Sequence, residues 1–189
     1  MLVYLHGFRS SPQSSKAQRL KARMADLGLG HLFWCKQLPA SPAAAIVLAE
    51  RQIAAATKPV TVVGSSLGGY YATHLAEKHR LRAVLVNPAV VAHLSLAEFV
   101  GPQTNLYSGE TFDFKTEYID ELRSIEVPRI SRPQDFLLLA ETGDEVLDYR
   151  LAVAKYAGAR QVVLEGGDHS FTRWDEYLDT ILEFAGLLP

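Results

Sequence analysis

Apolar residues follow two alternating rhythms along the chain. Short, nearly continuous apolar runs rich in β-branched residues occupy 2–5, 31–37, 60–64, 82–87, 135–140 and 160–164. Such runs read as parallel strands buried on both faces, since a strand covered by helices on each side shows no polar face. Between them, apolar positions recur at helical spacing over 14–28, 41–58, 67–79, 145–158 and 172–187. Ser14 and Ser41 stand where caps are wanted, and Pro42 fits a first helical position that needs no amide donor. The alternation predicts an α/β chain: a doubly wound, mostly parallel sheet of about six strands with helices on both faces. Such sheets bind ligands beyond the carboxyl ends of their strands.

One interval breaks the rhythm. From Pro88 to Pro133 there is no strand pattern, only short helical ones near 94–100 and 116–125, with "GPQTNLYSGETFDF" between them. An irregular insertion of this size is expected to be a lid or binding loop, so residues 89–134 read as a lid within one domain, 1–189.

Composition narrows the partners. The formal net charge is −2, and the 19 basic residues are scattered, leaving no footprint for nucleic acid. A single cysteine, Cys35, excludes an intrachain disulfide and a cysteine-rich metal site; beside Trp34 it reads as a small buried apolar residue of a strand. No stretch resembles a signal peptide or a membrane span, so a cytoplasmic protein is expected, with a monomer only as the default, since the sequence does not encode the oligomeric state legibly.

The stretch "VTVVGSSLGGYYATHLA" carries the chemistry. Gly64-Ser65-Ser66-Leu67-Gly68 fits G-x-S-x-G centred on Ser66. A nucleophile on a sharp strand-to-helix turn brings the residues two before and two after it together, and only small ones fit. For Ser66 these are Gly64 and Gly68; for Ser65 they would be Val63 and Leu67, which are too large. Ser66 is therefore the candidate nucleophile and Ser65 a spacer.

A serine needs a base, and the base an orienting acid, in the order Ser, acid, His for this kind of fold. His169 follows the last strand run and Gly166-Gly167; Asp144 follows "DFLLLAETG". Glu145, Asp148 and Asp168 are alternative acids, although Asp168 adjoins His169 and would strain to reach its ring. His31, His74, His79 and His93 lie on elements that point elsewhere. Oxyanion donors are expected from the backbone N–H of Leu67 and, in the loop "HGFRSSP", of Phe8. His6 reads as a brace for that loop and Arg9 as a solvated cation.

Together "YLHGFRSSPQSSKA", "GSSLGGYYATHLAE", "LVNPAV", "GDEVLDY" and "GGDHSF" resemble the α/β-hydrolase superfamily, and in particular the small bacterial YqiA-type esterases. The resemblance implies hydrolysis of short- or medium-chain acyl esters, or acyl-CoA thioesters, with Ser66, Asp144 and His169 as triad and Phe8 and Leu67 as oxyanion donors. No cofactor or metal is implied. Relative to larger members the chain starts at what would be their third strand.

Three readings follow. The leading one is a serine carboxylesterase acting on a small-molecule ester through an acyl-enzyme on Ser66. A non-catalytic binding or scaffolding protein on the same fold is the alternative. Amidase, thioesterase or carbon–carbon hydrolase chemistry on the same triad is the third. Tyr107, Phe112, Phe114 and Tyr118 could line an acyl slot or pack the lid.

Overall fold

The computed structural model describes residues 1–188. Strands β1 (Leu2–Leu5), β2 (Phe33–Trp34), β3 (Thr61–Ser65), β4 (Arg82–Val86), β7 (Phe136–Glu141) and β8 (Arg160–Leu164) form one parallel sheet in the order β2-β1-β3-β4-β7-β8. A separate antiparallel hairpin pairs β5 (Gly101–Thr104) with β6 (Thr111–Phe114). The helices are α1 (Ser15–Asp26), α2 (Pro42–Ala55), α3 (Leu67–His79), α4 (Ala92–Ser95), α5 (Thr116–Ser124), α6 (Tyr149–Lys155) and α7 (Leu178–Phe184).

Side chains alternate across the sheet. Leu2, Tyr4, Val84, Leu137 and Leu139 join the core beneath α1 and α7. Val3, Leu5, Leu85, Phe136 and Leu138 join the core beneath α2, α3 and α6. Both faces are covered, which is why these runs carry no polar alternation. Winding reverses between β1 and β3, so the loop after β1 and the end of β3 border one crevice.

Several boundaries differ from the sequence expectation. The strand expected over 31–37 is Phe33–Trp34 alone, preceded by a 3₁₀ turn at Gly30–Leu32. It pairs only through Leu2 and Val3 of β1, and His31 sits in the turn. Cys35 lies just past this strand and is half-buried. The helix expected from 145 begins at Tyr149, capped by Asp148, and Glu145 stays in the loop. The segment from 172 opens with a 3₁₀ turn, Trp174–Tyr177, before α7. Ser14 occupies the N-cap of α1 but makes no capping bond; Ser41 does cap α2, accepting from Ala44 N.

The interval 88–133, expected to lack strands, holds the hairpin. Only alternate residues of its short strands point inward, so no apolar run announces them. The segment is knitted to the body: Glu121 accepts from Ser41 Oγ (2.7 Å) and Ala43 N (2.9 Å), and Tyr70 Oη donates to Leu122 O (3.0 Å). Among the described residues no helix is long and apolar enough to cross a membrane.

Candidate active site

One residue makes the turn from β3 into α3. Ser66 has φ 56° and ψ −122°, a strained backbone that surrounding bonds hold in place. Its N–H donates to Val86 O (3.1 Å), and its carbonyl accepts from Gly69 N (2.9 Å) and Ala89 N (3.1 Å). The crowding expected around it is present. A Cβ on Gly64 would collide with the Gly68 backbone, and one on Gly68 with the Leu5 carbonyl. Gly69, which the motif leaves open, is confined too: a Cβ there would lie 2.6 Å from Pro88 Cβ.

Loops after β3, β7 and β8 bring three predicted residues together. Ser66 Oγ is 3.1 Å from His169 Nε2, and His169 Nδ1 is 2.9 Å from each Asp144 carboxylate oxygen. The Asp144 side chain is 2% exposed, and its Oδ1 also accepts from Val146 N (2.9 Å) and Leu147 N (2.8 Å). A carboxylate only accepts, so it keeps the proton on Nδ1 and leaves Nε2 free to accept from the Ser66 hydroxyl.

The alternative acids do other work. Glu145 accepts from the His169 backbone N–H (2.9 Å), Asp148 caps α6, and Asp168 accepts from Ser170 N (2.7 Å). His74 bonds the Ile125 carbonyl, His79 pairs with Glu50, and His93 faces Glu126.

Neither the Phe8 nor the Leu67 N–H meets an acceptor among the described residues. The Leu38 N–H donates to His6 Nε2 (3.0 Å), so Nδ1 carries the proton and donates to Gly7 O (3.0 Å). Carbonyl and amide of one trans peptide point in opposite directions. Holding the Gly7 carbonyl therefore turns the Phe8 N–H the other way. Burial lowers the His6 pKa, and the bond to Gly7 offsets this only in part. A Cβ on Gly7 would lie 3.2 Å from Ser66 Cβ, so only glycine lets the loop pass this close without displacing the serine.

The hairpin grips the same loop. Leu106 N donates to Arg9 O (2.8 Å), Arg9 Nε to Thr104 O (3.0 Å) and Asn105 Nδ2 to Ser10 O (2.8 Å). The Phe8 ring meets Phe99, Phe112 and Phe114 edge-on, with centroids 5.7, 6.0 and 5.0 Å away. Phe114 and Tyr118 thus pack the insertion, whereas Tyr107 stays exposed at a cavity wall.

Two further residues escaped the sequence. Glu141 is fully buried and accepts from Asp168 N (3.0 Å), Thr172 N (3.0 Å) and Arg173 Nε (3.2 Å). Asn87 donates to the carbonyls of Asp168 (3.0 Å) and His169 (3.2 Å) and accepts from Glu141 N (2.9 Å). Both fix the loop that carries His169. The available signal was a lone carboxylate closing an apolar strand, which must find partners when buried.

Two cavities flank the loop after β1. One of about 400 Å³ is lined by Ser66, His169, Lys16 and Tyr107. The other, about 480 Å³, is lined by Phe8, Leu67, Leu38, Tyr71 and Phe112.

The sheet order, the strained serine turn and the loops at the carboxyl edge define an α/β-hydrolase fold. A candidate hydrolase of Agrobacterium vitis S4 superposes with a TM-score of 0.74 at 20% identity, over 97% of this chain and 87% of that one. The esterase domain of a Rhodothermus marinus protein gives 0.67 at 18% identity, over 97% and 85%. A Paleococcus ferrophilus monoacylglycerol lipase gives 0.66 at 16% identity, over 97% and 93%. At such identities the likeness is one of fold. The chain belongs to the uncharacterised protein family UPF0227, whose model matches residues 1–186, and the resemblance drawn from its motifs is borne out at that level.

Proposed function

We propose that this protein is a serine carboxylesterase. The observation that carries the reading is the unbroken relay from Ser66 Oγ through His169 to Asp144, next to a loop amide (Phe8) and a helix-start amide (Leu67) that meet no acceptor among the described residues. The esterase and lipase named above support it by fold.

In this reading Ser66 Oγ attacks the ester carbonyl while His169 Nε2 takes its proton. The amides of Phe8 and Leu67 stabilise the oxyanion. The imidazolium, held by Asp144, returns the proton to the leaving oxygen, and the alcohol departs. Water enters and attacks the acyl carbonyl while the same nitrogen takes its proton; as the bond to Ser66 Oγ breaks, that proton passes to Oγ and the acid leaves. The leaving group must lie beside His169, in the smaller cavity. The acyl chain then extends past Leu67 into the larger one, with residues 89–134 as its lid.

Hydrolysis of p-nitrophenyl butyrate should show an acyl-enzyme burst, and a fluorophosphonate should label Ser66. Ser66→Ala should lower turnover by about a million-fold, the usual loss for a triad serine. Full activity in that variant would end the proposal.

A further inference from the structure

The cavity that opens on Ser66 contains a cation with no carboxylate partner. Lys16, in the first turn of α1, reaches across to the loop after β8, where its Nζ donates to the Ser170 carbonyl at 2.7 Å. It forms no ion pair among the described residues. Burial lowers its pKa, while Asp168, Asp144 and Glu141 lie near enough to favour the charge. The other charged residues in this wall, Arg19 and Asp175, neutralise each other at 2.7 Å.

The start of α1 brings a second electropositive group to the same wall. No acidic residue occupies its first turn, and Ser14 leaves it uncapped. Ser14 is 7% exposed and lines the cavity, and its Oγ, beside the Tyr4 hydroxyl, satisfies no hydrogen bond. An unpaired ammonium, an uncapped helix start and a partnerless buried hydroxyl therefore share one wall.

We propose that this cavity is an anion-binding subsite for the leaving group: Lys16 and the start of α1 receive a carboxylate or phosphate on the departing alcohol or thiol. The assignment rests on the esterase reading and specifies its substrate. His169 must hand a proton to the leaving oxygen, and Lys16 is bonded to the very next residue. The anion is thus a few bonds from the scissile oxygen.

Three esters of one acid test this: neutral phenyl butyrate, 3-(butyryloxy)benzoate and 3-(butyryloxy)phenyl phosphate. The protein should show a KM for at least one anionic ester about 10- to 100-fold below that for phenyl butyrate, the worth of a charge-assisted hydrogen bond. The preference should shrink as salt rises. Whichever anion gains more identifies the group recognised. Lys16→Gln should lower kcat/KM for that anionic ester about 10- to 100-fold more than for phenyl butyrate, and Lys16→Arg should restore most of it. Equal losses on all three esters would mean that Lys16 only holds the Ser170 loop, and would overturn the proposal. So would a native protein with no preference for either anion.

Calorimetry with 3-hydroxybenzoate and phenyl phosphate reads the subsite without turnover. Binding of either that weakens about 10-fold or more in folded Lys16→Gln supports it. Binding of neither, or binding indifferent to the substitution, overturns it. Failure to hydrolyse any ester while Lys16-dependent binding persists would instead overturn the esterase reading.

Discussion

Gly167 and the carboxylate of Glu141 are in direct contact, so that a Cβ on the glycine would fall on both carboxylate oxygens. Gly166 has the same left-handed backbone, φ 74° against 71°, yet nothing lies within 4 Å of its Cβ position. The two glycines separate backbone strain from collision. Gly166→Ala should cost only the strain, about 1–2 kcal/mol. Gly167→Ala must also displace a buried charge, and should cost about 3–5 kcal/mol and most of the ester hydrolysis. Denaturant melts and steady-state kinetics on both variants decide it. Equal losses would show that the contact does not limit the loop.

The same carboxylate predicts a mutation of its own. Burial raises the Glu141 pKa, but bonds from the Asp168 and Thr172 amides and from Arg173 outweigh it and hold the group below its ordinary value. Glu141→Gln turns an NH₂ toward these donors. It should cost about 2–4 kcal/mol and lower kcat more than KM, since the His169 loop loosens while the cavities stay. A carboxylate with a depressed pKa stabilises the fold above its unfolded pKa and loses that effect as pH falls through the folded value. The variant should therefore lose less of its remaining stability than the native protein between about pH 5 and 3. Parallel acid-denaturation curves would count against this account.

What was legible in the sequence is what local chemistry dictates. Ser66, Asp144 and His169 each follow an apolar strand run, and the glycines around the serine have a steric cause that needs no partner elsewhere. The hairpin was not legible, because Gly101–Thr104 and Thr111–Phe114 are four-residue strands with one face in water. Nor was Glu141, whose donors lie about thirty residues away and exist only once the β8 loop folds back. Ser14 has the right side chain in the right place for a cap, yet does not cap. Position along the chain cannot say which way a hydroxyl turns when a cavity lies beside it.

The His6 ring gives a pH dependence with a definite sign. Nε2 accepts from Leu38 N, so protonation would set two donors against each other and release the loop carrying the Phe8 amide. Its folded pKa lies below the unfolded value near 6.5, so the neutral form stabilises the fold. That contribution is complete above about pH 6.5 and falls as pH drops toward the folded pKa. His74, also lowered mainly by burial, acts in the same direction, so the test is a comparison. His6→Gln should flatten the decline in melting temperature between about pH 6.5 and 5 without abolishing it. An unchanged slope would mean that the His6 titration is not linked to folding.

Asn105 tests whether the insertion governs the loop after β1 or merely covers it. Its Oδ1 accepts from Tyr107 N (2.9 Å) and Ser108 N (3.1 Å), building the hairpin turn, while its Nδ2 reaches the Ser10 carbonyl. Asn105→Asp keeps the acceptor that shapes the turn. It removes the donor to Ser10 and places a negative charge against a carbonyl, so only the docking of hairpin to loop is attacked. Stability should change by no more than about 1–2 kcal/mol, since one buried bond is lost. The Phe8 amide, two residues before Ser10, should lose its alignment, lowering kcat for neutral esters about 10- to 100-fold, toward the loss of one oxyanion donor, with little change in KM. A rise in KM at constant kcat would instead make the hairpin a wall of the binding site with no hold on the Phe8 loop.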